Sequence, residues 1–235
     1  MKSRLLSFLI AFLLVPLISN AQFWAESLGG NDVDEVMDIC TDNSGNIITA
    51  GYFTNSAAFG SSISLSSAST GIPDIFVQKS NSSGSILWAV RAGGSGSDRA
   101  LSVTADGSGN IYITGFYFGN AQFGPFTLNS TNGSKEIFIA KLNSSGVFQW
   151  ATSAGGNLAD IGNAIALDAS GNVFVTGQFE GTANFGSSTF TSANNPQTGQ
   201  PSIDIFISKL DNNGNFTWVK ARCGRIYRPR TRYCR

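Results

Sequence analysis

Four tryptophans divide the chain at near-equal intervals. Trp24, Trp88, Trp150 and Trp218 stand 64, 62 and 68 residues apart, and the same residues return between them at fixed offsets. Five residues after each of the first three comes a glycine pair: Gly29-Gly30, Gly93-Gly94 and Gly155-Gly156. Asp34, Asp98 and Asp160 follow, and eight residues later Asp42, Asp106 and Asp168 each open an Asp-x-Ser-Gly-Asn segment. An apolar run then ends at Gly51, Gly115 or Gly177, and a Phe-Gly pair follows at Phe59-Gly60, Phe123-Gly124 and Phe185-Gly186. Last come Asp74-Ile75-Phe76, Glu136-Ile137-Phe138 and Asp204-Ile205-Phe206, closed by Lys79, Lys141 and Lys209. Self-similarity at such a period marks a repeat architecture, in which no unit encloses a core alone.

The units read as strands. Their apolar runs are short, rich in Ile, Val, Phe, Tyr and Thr, and bounded by Gly and Asn turns, the chemistry of antiparallel hairpins. The central runs are apolar at nearly every position, as strands covered on both faces are. About four core strands fit each unit: one through Ile39, Val103 and Ile165, one ending at the Gly, one carrying Ile-Phe, and one carrying Trp. The Phe-Gly segment adds a short hairpin between the second and third. Twisted four-stranded sheets with two apolar faces stack radially, so the expected fold is all-β, a partial propeller of three roughly 62-residue blades. An immunoglobulin-like array needs about 100 residues per unit, and a β-helix rung is far shorter than these units.

The pattern resembles the bacterial β-propeller repeat family known as SBBP, from Phe23 to Lys220. The resemblance implies a scaffold or binding module and supplies no catalytic residues. The segment Asp211-Asn212-Asn213-Gly214-Asn215-Phe216-Thr217-Trp218 resembles an Asp-box one residue too long. That motif is itself a structural hairpin.

Charge and the chain ends bear on compartment. Lys+Arg and Asp+Glu number 15 each. The balance argues against nucleic acid or an anionic membrane as partner, since both select a basic surface. Lys2 and Arg4 precede an apolar stretch, Leu5 to Ile18, and Ser19-Asn20-Ala21 offers small residues for cleavage. Residues 1–21 are thus expected to be a signal peptide, similar in their Asn20-Ala21-Gln22 ending to those of secreted Bacteroidetes proteins. No later stretch is long and apolar enough to be a membrane segment. Residues 22–220 hold the repeats, with blades at about 24–88, 88–150 and 150–218. After Trp218 the pattern asks for Gly-Gly at positions 223 and 224 and an acid at 228. An Arg-rich tail, residues 221–235, stands there instead, read as a frame shift or truncation. Three units then leave two apolar faces uncapped, so further blades are needed to close the ring. The Trp24 strand has the character of the last strand of such a further blade.

For chemistry the sequence offers little. It has no histidine and no Cys-x-x-Cys, phosphate loop or nucleophile elbow. Cys40 falls on the first strand where the other units have Thr104 and Ala166, and reads as a small core residue. Asp42, Asp106 and Asp168 suggest turn residues whose carboxylates accept backbone N–H groups. Calcium ligation is the weaker reading, because each segment holds a single acid. The recurring Asp34, Asp98 and Asp160, the three lysines and the tryptophans read as architectural. The one departure from the repeat is the polar loop Asn194 to Ser202. No catalytic, cofactor-binding or metal-binding residue is expected. The functional expectation is a secreted or cell-surface, non-enzymatic scaffold for protein or glycan. The alternatives are a propeller hydrolase or lyase with its site in further blades, and a calcium-stabilised adhesin.

Overall fold

A computed structural model describes residues 28–222. The signal peptide expected over residues 1–21, Trp24 and the tail from Cys223 lie outside the described residues.

Six strands arise from each unit. After β1 (Gly29–Gly30), the first unit supplies β2 (Glu35–Thr41), β3 (Ile47–Thr54), β4 (Ser56–Phe59), β5 (Ile63–Ser66), β6 (Pro73–Ser80) and β7 (Ile86–Gly94). The second supplies β8 (Arg99–Ala105), β9 (Ile111–Phe118), β10 (Asn120–Phe123), β11 (Phe126–Asn129), β12 (Lys135–Leu142) and β13 (Phe148–Gly156). The third supplies β14 (Ile161–Leu167), β15 (Val173–Glu180), β16 (Thr182–Phe185), β17 (Ser188–Thr191), β18 (Ile203–Leu210) and β19 (Phe216–Arg222). All pairings between these strands are antiparallel. Among the described residues no helix is long and apolar enough to cross a membrane.

The four expected core strands form one sheet per unit, ordered β2-β3-β6-β7, β8-β9-β12-β13 and β14-β15-β18-β19. The tryptophans lie inside the last strand, so a Trp-to-Trp division cuts through each sheet rather than between sheets. The Phe-Gly hairpin sits between the second and third strands in the chain but joins the preceding unit's sheet in space. β10–β11 extends the first sheet by pairing Ala121 with Gly94 and Gln122 with Gly93. β16–β17 extends the second through Ala183–Gly156 and Asn184–Gly155, and β4–β5 pairs with β1. The glycine pairs permit this contact. Gly93 and Gly155 have φ of 130° and 144°, and a Cβ on Gly94 or Gly156 would land on the carbonyl oxygen of Asn120 or Thr182.

The first strands lie innermost, with β8 between β2 and β14. Each carries a bulge, at Met37, Leu101 or Asn163, which adds local twist. Asp38 on β2 accepts Ser102 Oγ at 2.8 Å and Val103 N at 2.9 Å on β8, and Ser102 Oγ accepts Ile165 N on β14 at 3.3 Å.

Apolar side chains fill the junctions. Ile48, Val77, Val103, Ile113, Phe123 and Phe138 belong to the cluster between the first two sheets. Tyr112, Ile137, Ile139, Val175, Phe179 and Phe206 belong to the one between the second and third. Repeat-equivalent positions show the effect of having a neighbour. Ile75 and Ile137 are 0% exposed, whereas their counterpart Ile205 is 61% exposed. At the other end Ile39 is 61% exposed, against 4% for Val103 and 7% for Ile165. β2 is therefore less covered than its apolar sequence suggests, and Cys40 is half-buried against the first core cluster. Burial, with Asp38 and Asp42 adding to it, pushes its thiol up to about 11.

Candidate functional site

The recurring polar residues gather at two places, the turn end of the sheets and the sheet junctions. At the turn end, Asp42 Oδ1 accepts the amides of Ser44 (2.9 Å) and Asn46 (3.0 Å), and Oδ2 accepts Asn46 Nδ2 at 2.9 Å. Asp106 and Asp168 repeat this set with Ser108 and Asn110, and with Ser170 and Asn172. Asp211 does the same with Asn213 and Asn215. These carboxylates close turns, as the sequence suggests. Burial alone would raise the Asp42 acid, but donation from Asn46, Lys79 and the Asn46 and Ser44 amides brings it down to about 2. Lys79 Nζ lies 2.8 Å from Asp42 Oδ2. Among the described residues no group of three or more acidic or thiol side chains is arranged to hold a metal ion.

The recurring Lys and Trp reach from one unit into the next. Trp88 Nε1 donates to Ser144 O at 3.2 Å, and Trp150 Nε1 donates to Asn212 O at 3.0 Å. Lys79 Nζ approaches the same Ser144 carbonyl at 3.5 Å, and Lys141 Nζ donates to Asn212 Oδ1 at 2.7 Å. Each indole lies on the turn glycine of the next unit. A Cβ on Gly146 would sit 2.9 Å from the Trp88 ring, and one on Gly214 2.8 Å from the Trp150 ring. Tyr112 joins the second clamp: its hydroxyl lies 3.2 Å from Asp106 Oδ2 and 3.3 Å from Asn212 Oδ1, under Lys141 at 5.1 Å. In the third unit Trp218 packs edge-on to Phe174 and remains 38% exposed, and Lys209 stands 4.0 Å from Asp168.

At the junctions, Asp98 accepts Gly94 N (2.7 Å) and Phe118 N (2.9 Å), and Asp160 accepts Gly156 N (2.7 Å) and Glu180 N (3.1 Å). Both are 0% exposed. Each has a second acid beside it that the sequence reading treated only as a strand marker. A Cβ on Gly93 would lie 2.7 Å from Asp74 Oδ1 and 2.8 Å from Asp98 Oδ2. One on Gly155 would lie 2.7 Å from Asp160 Oδ2 and 2.8 Å from Glu136 Cγ. Burial is the largest cause pushing Asp98 and Asp160 up to about 7. The backbone amides pull the other way, and Asp74 or Glu136 adds to the rise. The acid before each Ile-Phe pair was the available signal for these partners.

The irregular loop is a self-bonded excursion. Asn194 bridges Pro201, Asn195 N donates to Gln200 O at 2.7 Å, and Ser202 N donates to Ala193 O at 2.7 Å.

Known proteins bear on this arrangement. Residues 149–178 match the family model described as Beta-propeller repeat, SBBP. They cover the last strand of the second sheet and the first two of the third. The chain is also 24% identical to an uncharacterised WD repeat-containing protein of Acanthamoeba polyphaga mimivirus, across 88% of this chain. The described sheets are all-β and of the propeller-blade kind. The chain spans only 17% of that relative's length. The recurring Trp, Lys and junction acids join one unit to the next, while the recurring Asp42, Asp106 and Asp168 close turns within their own units.

Proposed function

We propose that the propeller is a secreted, non-enzymatic scaffold that binds protein through its blade faces. The observation that carries this reading is the exposed side of the third blade. Ile205 and Ile207 are 61% and 44% exposed there, while Ile137 and Ile139 at the same positions are buried by the next blade. Exposed contiguous apolar surface of this kind marks an interaction site. The chemistry suited to it is another β-sheet unit, carrying a Gly-centred turn for Trp218.

The test is light scattering on the chain from Gln22, with a glycan array alongside. Wild-type protein should associate as its concentration rises, and Ile205→Lys with Ile207→Lys should suppress association while leaving the unfolding transition in place. A wild-type monomer with a sharp thermal transition overturns the reading, and saturable glycan binding would replace it. Export is supported by the leader read in residues 1–21. Fused to a reporter, that leader should direct secretion and be cleaved after Ala21.

A further inference from the structure

We propose that the two buried acids at each blade junction, Glu136 with Asp160 and Asp74 with Asp98, hold one proton between them, so that the joint tightens in acid and loosens in base. Geometry comes first. Asp74, Asp98 and Asp160 are at most 0% exposed and Glu136 is 4% exposed. The members of each pair flank one glycine, both within van der Waals reach of the same empty Cβ position. Two buried acids so placed repel each other when both are ionised, and Asp74 and Glu136 each act to raise the acid beside them.

The other charged and titratable groups around them differ between junctions. At the first, Arg91 Nη1 contacts Asp74 Oδ2 at 2.8 Å and Ala68 N donates to the same oxygen, yet Asp74 Oδ1 is buried with no hydrogen-bond partner. A proton on the facing Asp98 oxygen satisfies that atom. Arg99 is turned away, stacked on Tyr52 at 4.1 Å. At the second junction Ser153 occupies the register position of Arg91, opposite Phe138 as Arg91 is opposite Phe76. Tyr117 OH lies 3.3 Å from Glu136 Oε2, Thr131 N donates to Oε1, and Lys135 is engaged over the Phe116 and Phe118 rings. Glu180, at the end of β15, adds further negative charge. Among the described residues the second pair has no guanidinium beside it.

The sign follows from linkage. An acid whose folded pKa is raised binds its proton in the folded state over a range where the unfolded chain has released it. Its contribution is full below about pH 4 and is lost as pH rises through about 7. Across that window one such pair lowers the folded-to-unfolded ratio about tenfold per pH unit.

The experiment compares urea midpoints of the full-length chain at about pH 5.5 and about pH 8. Wild type should be less stable at the higher pH. Glu136→Gln imitates the protonated pair, since its amide oxygen can accept Thr131 N and its amide nitrogen can donate to Tyr117. It should reduce the difference by the share that Glu136's charge contributes, while the burial of Asp160 and the intact first pair keep the rest. Ser153→Arg restores the cation of the first junction and should also flatten the profile, by raising the alkaline midpoint. It decides the matter if the Gln variant does not fold. A carboxyl-carbon NMR titration that places Asp160 below about pH 5 overturns the proposal. So do three identical pH profiles.

Discussion

Asp106 shows how much one side chain does within a turn. Its two oxygens accept the Ser108 and Asn110 amides and Asn110 Nδ2, with the Tyr112 hydroxyl nearby. Asp106→Ala leaves those donors without their acceptor and should cost about 1–3 kcal/mol in urea unfolding. The pH dependence of these turn acids opposes that of the junction acids. Asp42 is held down to about 2, so its contribution is present above about pH 4 and lost as pH falls toward 2. Acid unfolding should therefore begin below about pH 4 and be followed by circular dichroism. Chelator should leave the melting temperature unchanged, because the carboxylates are committed to backbone and Asn donors. These turns were legible in the sequence because an Asp and the amides it bonds lie within four residues. The acid pairs were not. Their members stand 24 residues apart in both junctions and meet only when one blade packs on the next.

At the level of strands, hairpins and pairing within a blade were readable from apolar runs and Gly-Asn turns. The attachment of the Phe-Gly hairpin to the preceding blade was not, since alternation along β10 or β16 says which face is apolar and not which edge is bonded. The decisive residues are the glycines: at Gly94 and Gly156 the backbone of another unit comes too close for any side chain. Gly156→Val should therefore detach β16–β17, at a cost of about 2–4 kcal/mol. Hydrogen exchange should show the Ala183 and Asn184 amides losing protection before those of β15. Equal protection in mutant and wild type would contradict that assignment.

For the whole molecule, stability is a sum over units and their interfaces, and among the described residues the two end faces have none. Ile39 at one end and Ile205 at the other are exposed while their counterparts are buried. Covering an isoleucine of this kind is worth about 1.5–3 kcal/mol. A longer chain with one more blade after the third should therefore be more stable by more than the added blade's own contribution, measured as a rise in the urea midpoint.

The hairpins that extend the neighbouring sheet also set an order of assembly. β7 ends at Gly94, but the strands that complete its sheet are residues 120–129. On a ribosome, neither of the first two blades is finished when its own last strand emerges. Each waits for the middle of its successor, so a nascent chain always carries one open edge at its growing end, and a translational pause between blades would hold that edge open.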